Sequence, residues 1–87
     1  MITNSELKYI KKLGRKKYRN LYSHFVVEGE KVFQDLLNSK FPIVRCYSTK
    51  QINVQNSVIV TDNCMKRMTF LKNPSNILGI FSTPKKT

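Results

Sequence analysis

The sequence predicts one α/β domain: a three-layer α/β/α sandwich around a four-stranded sheet, largely parallel or mixed. Three observations carry this. Short apolar runs at Phe25-Val26-Val27, Ile43-Val44-Arg45-Cys46-Tyr47, Ser57-Val58-Ile59-Val60 and Ile77-Leu78-Gly79-Ile80-Phe81-Ser82 have strand length. Segments with helical spacing precede and separate them, and continuous apolar strands between helices indicate a sheet covered on both faces. The chain has 87 residues, enough for one domain and one modest core.

The first helix opens on a capping box. Thr3 is its N-cap, and Glu6 stands at the position that reaches back to the cap. Leu7, Ile10 and Leu13 recur on one face, while Lys8, Lys11, Lys12, Arg15 and Lys16 fill the others. Gly14 weakens the helix by about 1 kcal/mol relative to alanine, enough for it to fray or end there, but it is expected to reach Tyr18. Asn20 to Ser23 reads as a loop and Phe25-Val26-Val27 as the first strand. A second helix starts near Gly29, with Val32, Phe33, Leu36 and Leu37 on one face, and ends at Asn38. Pro42 favours an extended Phe41 and marks the start of the second strand. One helical turn is expected around Gln51 to Val54. Asp62 reads as the N-cap of a short helix through Met65 and Met68. Lys72-Asn73-Pro74-Ser75-Asn76 breaks that helix. In the fourth strand, Leu78-Gly79 predicts a bulge or a close contact. Thr83 to Thr87 reads as a polar tail.

The charge is lopsided: 16 Lys+Arg against 5 Asp+Glu, a net +11. Counterion release and long-range attraction make a polyanion the expected partner, nucleic acid first and an anionic membrane second. The membrane reading is weak, because no apolar run approaches the roughly 20 residues of a membrane span. Lysines interrupt any signal-like N-terminus, so a cytoplasmic location is expected. Cys46 and Cys64 lack zinc-site spacing and are expected to be reduced and packed, and no metal is expected. A catalytic inventory is also missing. His24 is the only histidine, no P-loop or Gly-x-Gly-x-x-Gly is present, and no nucleophile has an evident base.

Binding chemistry is better represented. Arg15, Lys16, Lys17 and Arg19 form the densest basic run, suited to phosphates. Tyr18 and Tyr22 interleave with them, and aromatic rings beside cations stack on unpaired bases. A solvated helix end would place the same cations, and core packing would equally account for Tyr18; the overall charge favours binding. At Glu28-Gly29-Glu30-Lys31 a strand turns into a helix. The free N–H groups of that first turn, with Lys31, favour an anion. Gly29 is expected to let backbone approach RNA, and Glu28 to accept hydrogen bonds from a base edge or a ribose hydroxyl. Acidic residues also favour helix starts for purely electrostatic reasons. Lys72 and Asn73 extend the surface.

Lys16-Lys17-Tyr18-Arg19, then Phe25-Val26-Val27-Glu28-Gly29-Glu30-Lys31, then Asn76-Ile77-Leu78-Gly79-Ile80 resemble the N-terminal substrate-binding domain of SpoU-type RNA 2′-O-ribose methyltransferases. The resemblance spans roughly residues 4 to 84. A Pro-Gln-Gly-like stretch usual in that family is replaced here by Pro74 and Gly79 separated by Ser75-Asn76-Ile77-Leu78. The resemblance implies the α/β/α fold of ribosomal proteins that bind kinked RNA. It implies that the domain holds structured ribosomal or transfer RNA for a separate knotted domain, which binds S-adenosylmethionine, dimerises and transfers the methyl group. By that comparison the chain is expected to be an isolated, monomeric RNA-binding domain that catalyses nothing by itself, within an enzyme that is dimeric. The alternatives are a free-standing RNA-binding or ribosome-associated protein of the same fold, and a basic module for an acidic protein or anionic membrane.

Overall fold

A computed structural model describes residues 2–83; the part of the expected tail beyond Thr83 lies outside them. Helix α1 (Asn4–Lys12) begins on the expected capping box. The Thr3 hydroxyl accepts the Glu6 N–H at 3.1 Å, and the Glu6 carboxylate reaches the Thr3 N–H at 3.4 Å. Contrary to the expectation of one helix to Tyr18, the chain breaks after Lys12 and restarts as α2 (Lys16–Tyr22), which takes up most of the predicted loop. Gly14 causes the break through packing. A Cβ there would stand 2.7 Å from the Phe70 ring, so the chain turns where that ring crosses it. Arg15 is extended and serves as the N-cap of α2. Ser23, left-handed at φ 57°, ends α2 and leads into β1 (His24–Glu28).

Helix α3 (Glu30–Asn38) follows at once, and Gly29 is its N-cap. Phe33 faces inward as predicted, whereas Val32 is 48% exposed. Strands β2 (Ile43–Ser48) and β3 (Ser57–Ile59) are parallel neighbours. Such a pair needs a crossover that covers one face of the sheet. Here residues 49 to 56 supply it without the expected helical turn. Ile52 and Val54 both pack on the Phe33 cluster, and that spacing of two suits extended chain and not a helix. Helix α4 (Asp62–Met68) is capped by Thr61, one residue before the predicted cap. The Thr61 hydroxyl accepts the Cys64 N–H at 3.1 Å. Strand β4 (Ile77–Ser82) completes the sheet in the order β1-β4-β2-β3. It runs antiparallel to both β1 and β2, so the sheet is mixed.

Two apolar clusters sandwich this sheet. On one face α1 and α4 bury Ile10, Leu13, Met65 and Met68 against Tyr47, Leu78 and Ile80. On the other, α3 and the 49–56 strap cover Phe33, Cys46, Ile77 and Phe81. The three layers of the expected sandwich are therefore present. The register irregularity falls between Ile43 and Arg45 on β2, not at Leu78-Gly79. Gly79 is instead the close contact: a Cβ there would lie 2.7 Å from Phe33 and 2.9 Å from Phe81. Cys46 and Cys64 are free thiols belonging to opposite faces. Burial pushes the Cys46 thiol up to about 11, which makes it inert at neutral pH.

Candidate nucleic-acid interface

The α1–α2 corner forms a groove of about 460 Å³ lined by Leu7, Lys8, Lys11, Lys12, Arg15 and Tyr18. Its lysines come from α1, Arg15 from the link between the helices and Tyr18 from α2, so the turn at Gly14 brings them to one corner. Lys12 and Lys17 place their ammonium groups 5.7 and 5.6 Å from the centre of the Tyr18 ring, within cation–π reach. Tyr18 in turn stacks on Tyr22, with ring centres 6.3 Å apart and 12° between planes. Tyr22 meets Tyr9 edge-on, and Tyr9 shares a hydrogen bond with His24 Nδ1. His24 thus anchors the aromatic row to β1. Burial first, then the neighbouring Tyr22, raises the Tyr9 hydroxyl above its ordinary value. Tyr18 belongs to neither apolar cluster, which sets aside the core-packing alternative for this ring.

No acidic side chain lines the groove. Among the described residues the one ion pair joins Arg45 to Glu6 at 2.8 Å, at the opposite end of α1. There Glu6 accepts hydrogen bonds from both Arg45 and Tyr47, each at 2.8 Å. Burial alone would raise the Glu6 carboxyl, but these bonds outweigh it and hold the group below its ordinary range. The Tyr47 hydroxyl is pushed far upward by burial and by the same carboxylate. One acid is thus committed to the fold, and the groove keeps its full positive charge.

The structure distributes the residues singled out by the sequence over distinct roles. Arg15 and Tyr18 line the groove, while Lys16 and Lys17 are exposed on α2. Arg19 is half-buried and donates to the Leu13 carbonyl at 3.0 Å, closing the open end of α1. Lys31 lies elsewhere. It borders a cleft of about 680 Å³ between α3 and the 49–56 strap, shared with Lys50, Gln34 and Asn53. Gly29 sits at φ 106°, a conformation that requires glycine, and its N–H donates to the Ile77 carbonyl at 3.2 Å. Glu28 turns inward: one carboxylate oxygen accepts the Thr69 hydroxyl and the other the Phe70 N–H, the latter at 2.9 Å. Lys72 is exposed on the loop so held.

That loop joins the two halves of the site. Lys11 donates to the Thr69 carbonyl at 2.9 Å and lies 4.9 Å from the centre of the Phe70 ring. The α1–α2 corner and the β1–α3 corner are therefore linked through residues 69 and 70. Sequence reasoning missed Lys8, Lys11 and Lys12 as site residues, reading them as the solvated faces of a helix, and passed over Phe70. The signal for it was the apolar pair Phe70-Leu71 stranded outside the helical spacing of α4, just before Lys72-Asn73-Pro74.

The domain is thus an α/β/α sandwich on a mainly antiparallel mixed sheet, with a cationic groove at the α1–α2 corner that holds Tyr18 and no acidic side chain. The family model described as the MRM3-like substrate binding domain matches residues 4–79, and the chain belongs to that family. No curated protein matches the chain in sequence. Among solved structures, the chain superposes on one assigned to the TrmH family of RNA methyltransferases from Porphyromonas gingivalis with a TM-score of 0.85 and 20% identity, covering 100% of this chain and 38% of that one. An rRNA methyltransferase from Sinorhizobium meliloti gives 0.78 and 23%, over 99% and 36%. The SpoU methyltransferase AviRb from Streptomyces viridochromogenes, in complex with AdoMet, gives 0.78 and 11%, over 95% and 37%. At such identities the likeness is one of fold, and this chain spans well under half the length of these proteins.

Proposed function

We propose that this domain docks structured RNA for a 2′-O-ribose methyltransferase of the SpoU type, the reading that the sequence motifs also favour. The observation that carries it is the groove in which Lys8, Lys11, Lys12 and Arg15 surround Tyr18 with no carboxylate among them. Phosphates of a folded strand satisfy the cations and fix the register, and the half-buried Tyr18 and the exposed Tyr22 beside them offer aromatic contact to bases. Membership of a substrate-binding family agrees with this division of labour. The RNA is ribosomal or transfer RNA, and the free thiols fit a reducing, cytoplasmic setting.

S-adenosylmethionine would supply the methyl group. The residues of this domain do not fit it. Gly14 lies against Phe70, Gly79 against Phe33, and Gly29 opens α3, so no glycine-rich loop forms here. The donor is assigned to a separate catalytic domain, and this chain's part is to bind and orient.

The test is a fluorescence-anisotropy titration with a labelled rRNA hairpin, a length-matched DNA duplex and heparin at two salt concentrations. The hairpin is expected to bind best and to keep its advantage at the higher salt. Replacing Lys8, Lys11, Lys12 and Arg15 together by alanine should lower the log K against log salt slope by about 0.7 to 0.9 for each phosphate no longer neutralised. An unchanged affinity and slope in the folded variant would overturn the assignment of the groove.

A further inference from the structure

Phe70 and Leu71 are 45% and 48% exposed, side by side at the tip of the loop between α4 and β4. An exposed apolar pair on a floppy loop needs no explanation. This pair is braced from several directions. Both oxygens of the Glu28 carboxylate hold residues 69 and 70, and the Leu71 N–H donates to the Thr69 hydroxyl at 3.0 Å. Lys11 ties the Thr69 carbonyl to α1 from the other side. The edge of the Phe70 ring rests on Gly14, where the missing Cβ makes room for it. A strand-end acid, a helix lysine and a glycine at a helix break thus converge on keeping one ring fixed in an exposed position.

We propose that Phe70, with Leu71 beside it, is a platform for an unpaired nucleobase of the RNA, and that Glu28 is a positioning residue which acts through this loop. The inference rests on the RNA-docking reading above and adds to it the feature recognised: a base turned out of the helix. Charge complementarity selects this occupant. The tip is bordered by Lys11 in space and Lys72 in sequence, and the cationic groove continues from Lys11 along α1. A purely apolar partner would leave these cations facing uncharged surface, whereas a nucleotide offers a ring to the phenyl group and a phosphate to the lysines. The acid at Glu28, which repels RNA if exposed, is instead consumed in building the platform.

The experiment compares two hairpins of equal length, one fully paired and one carrying a single bulged adenine, in binding titrations with the wild-type domain and with Phe70→Ala, Phe70→Tyr and Glu28→Gln. The wild type should prefer the bulged hairpin. Phe70→Ala should lower affinity for it about tenfold while leaving the paired hairpin unchanged. Phe70→Tyr, which keeps the ring, should restore the preference, and Glu28→Gln should reduce it in part. Circular dichroism melts confirm folding of each variant, and sedimentation reports self-association. Equal losses on both hairpins, no loss on either, or a dimer abolished by Phe70→Ala would overturn the platform while leaving the RNA-docking reading intact. Failure of the wild type to bind any RNA would overturn both.

Discussion

At the scale of single residues, acids are scarce in this chain, and the structure uses two of them to hold it together. Glu6 joins the capping box of α1 to Arg45 and Tyr47 of β2, and so fixes how α1 crosses the sheet. Its carboxyl sits below the ordinary 4.5, so the folded state binds the proton less readily than the unfolded chain. The stability that Glu6 supplies is therefore complete above about pH 4.5 and is lost as pH falls through the lowered value. Glu6→Gln should cost on the order of 1 kcal/mol at neutral pH and flatten the acid limb of the stability curve. Urea unfolding across that range checks it, and an unchanged acid limb would refute the linkage. Glu28 is the second acid so employed, and its sequence-based assignment to a base edge gives way to an internal one. Both of its oxygens face protein donors.

Elements are set by where glycine permits close approach. β4 is buried on both faces because α3 covers one and α1 with α4 cover the other. Gly79 lets the Phe33 ring of α3 descend onto the strand beside Phe81. Gly79→Ala should force these rings apart and destabilise the domain by about 1 to 3 kcal/mol, read by thermal or urea unfolding. A variant as stable as the parent would show that α3 can ride higher without loss. Gly14 plays the matching part between α1 and α2. Helix propensity alone gave it a mild weakening, but the ring of Phe70 turns it into a corner. That corner creates the groove, since a straight helix to Tyr18 would spread the same cations along a rod.

Over the whole molecule, a net +11 on 87 residues must be held in one compact body. Only Arg45 among the described cations has a carboxylate partner. Like-charge repulsion opposes folding and is screened by salt. The melting temperature should therefore rise by a few degrees from about 10 mM to about 150 mM monovalent salt. Structured RNA at low salt should raise it further, because a ligand bound only by the folded state stabilises that state. A melting temperature that falls with added salt would contradict this balance of charge.

The sequence by itself determined the class of fold, the capping box, the strands and the basic character of the surface, because these follow from local periodicity, cap chemistry and net charge. Its motifs also pointed to the family. Only the tertiary structure decided what lies beside what. Gly14 ends a helix because a ring from a loop far along the chain rests on it, and no local rule contains that contact. Glu28 and Arg19 face protein partners distant in sequence or across a helix break, so their residue types alone could not distinguish bracing from binding. Lys11 and Phe70 become one site only when α1 and the loop before β4 meet at the same edge of the sheet. Spacing along a chain reports which face of an element a residue occupies; only packing reports which other element shares that face.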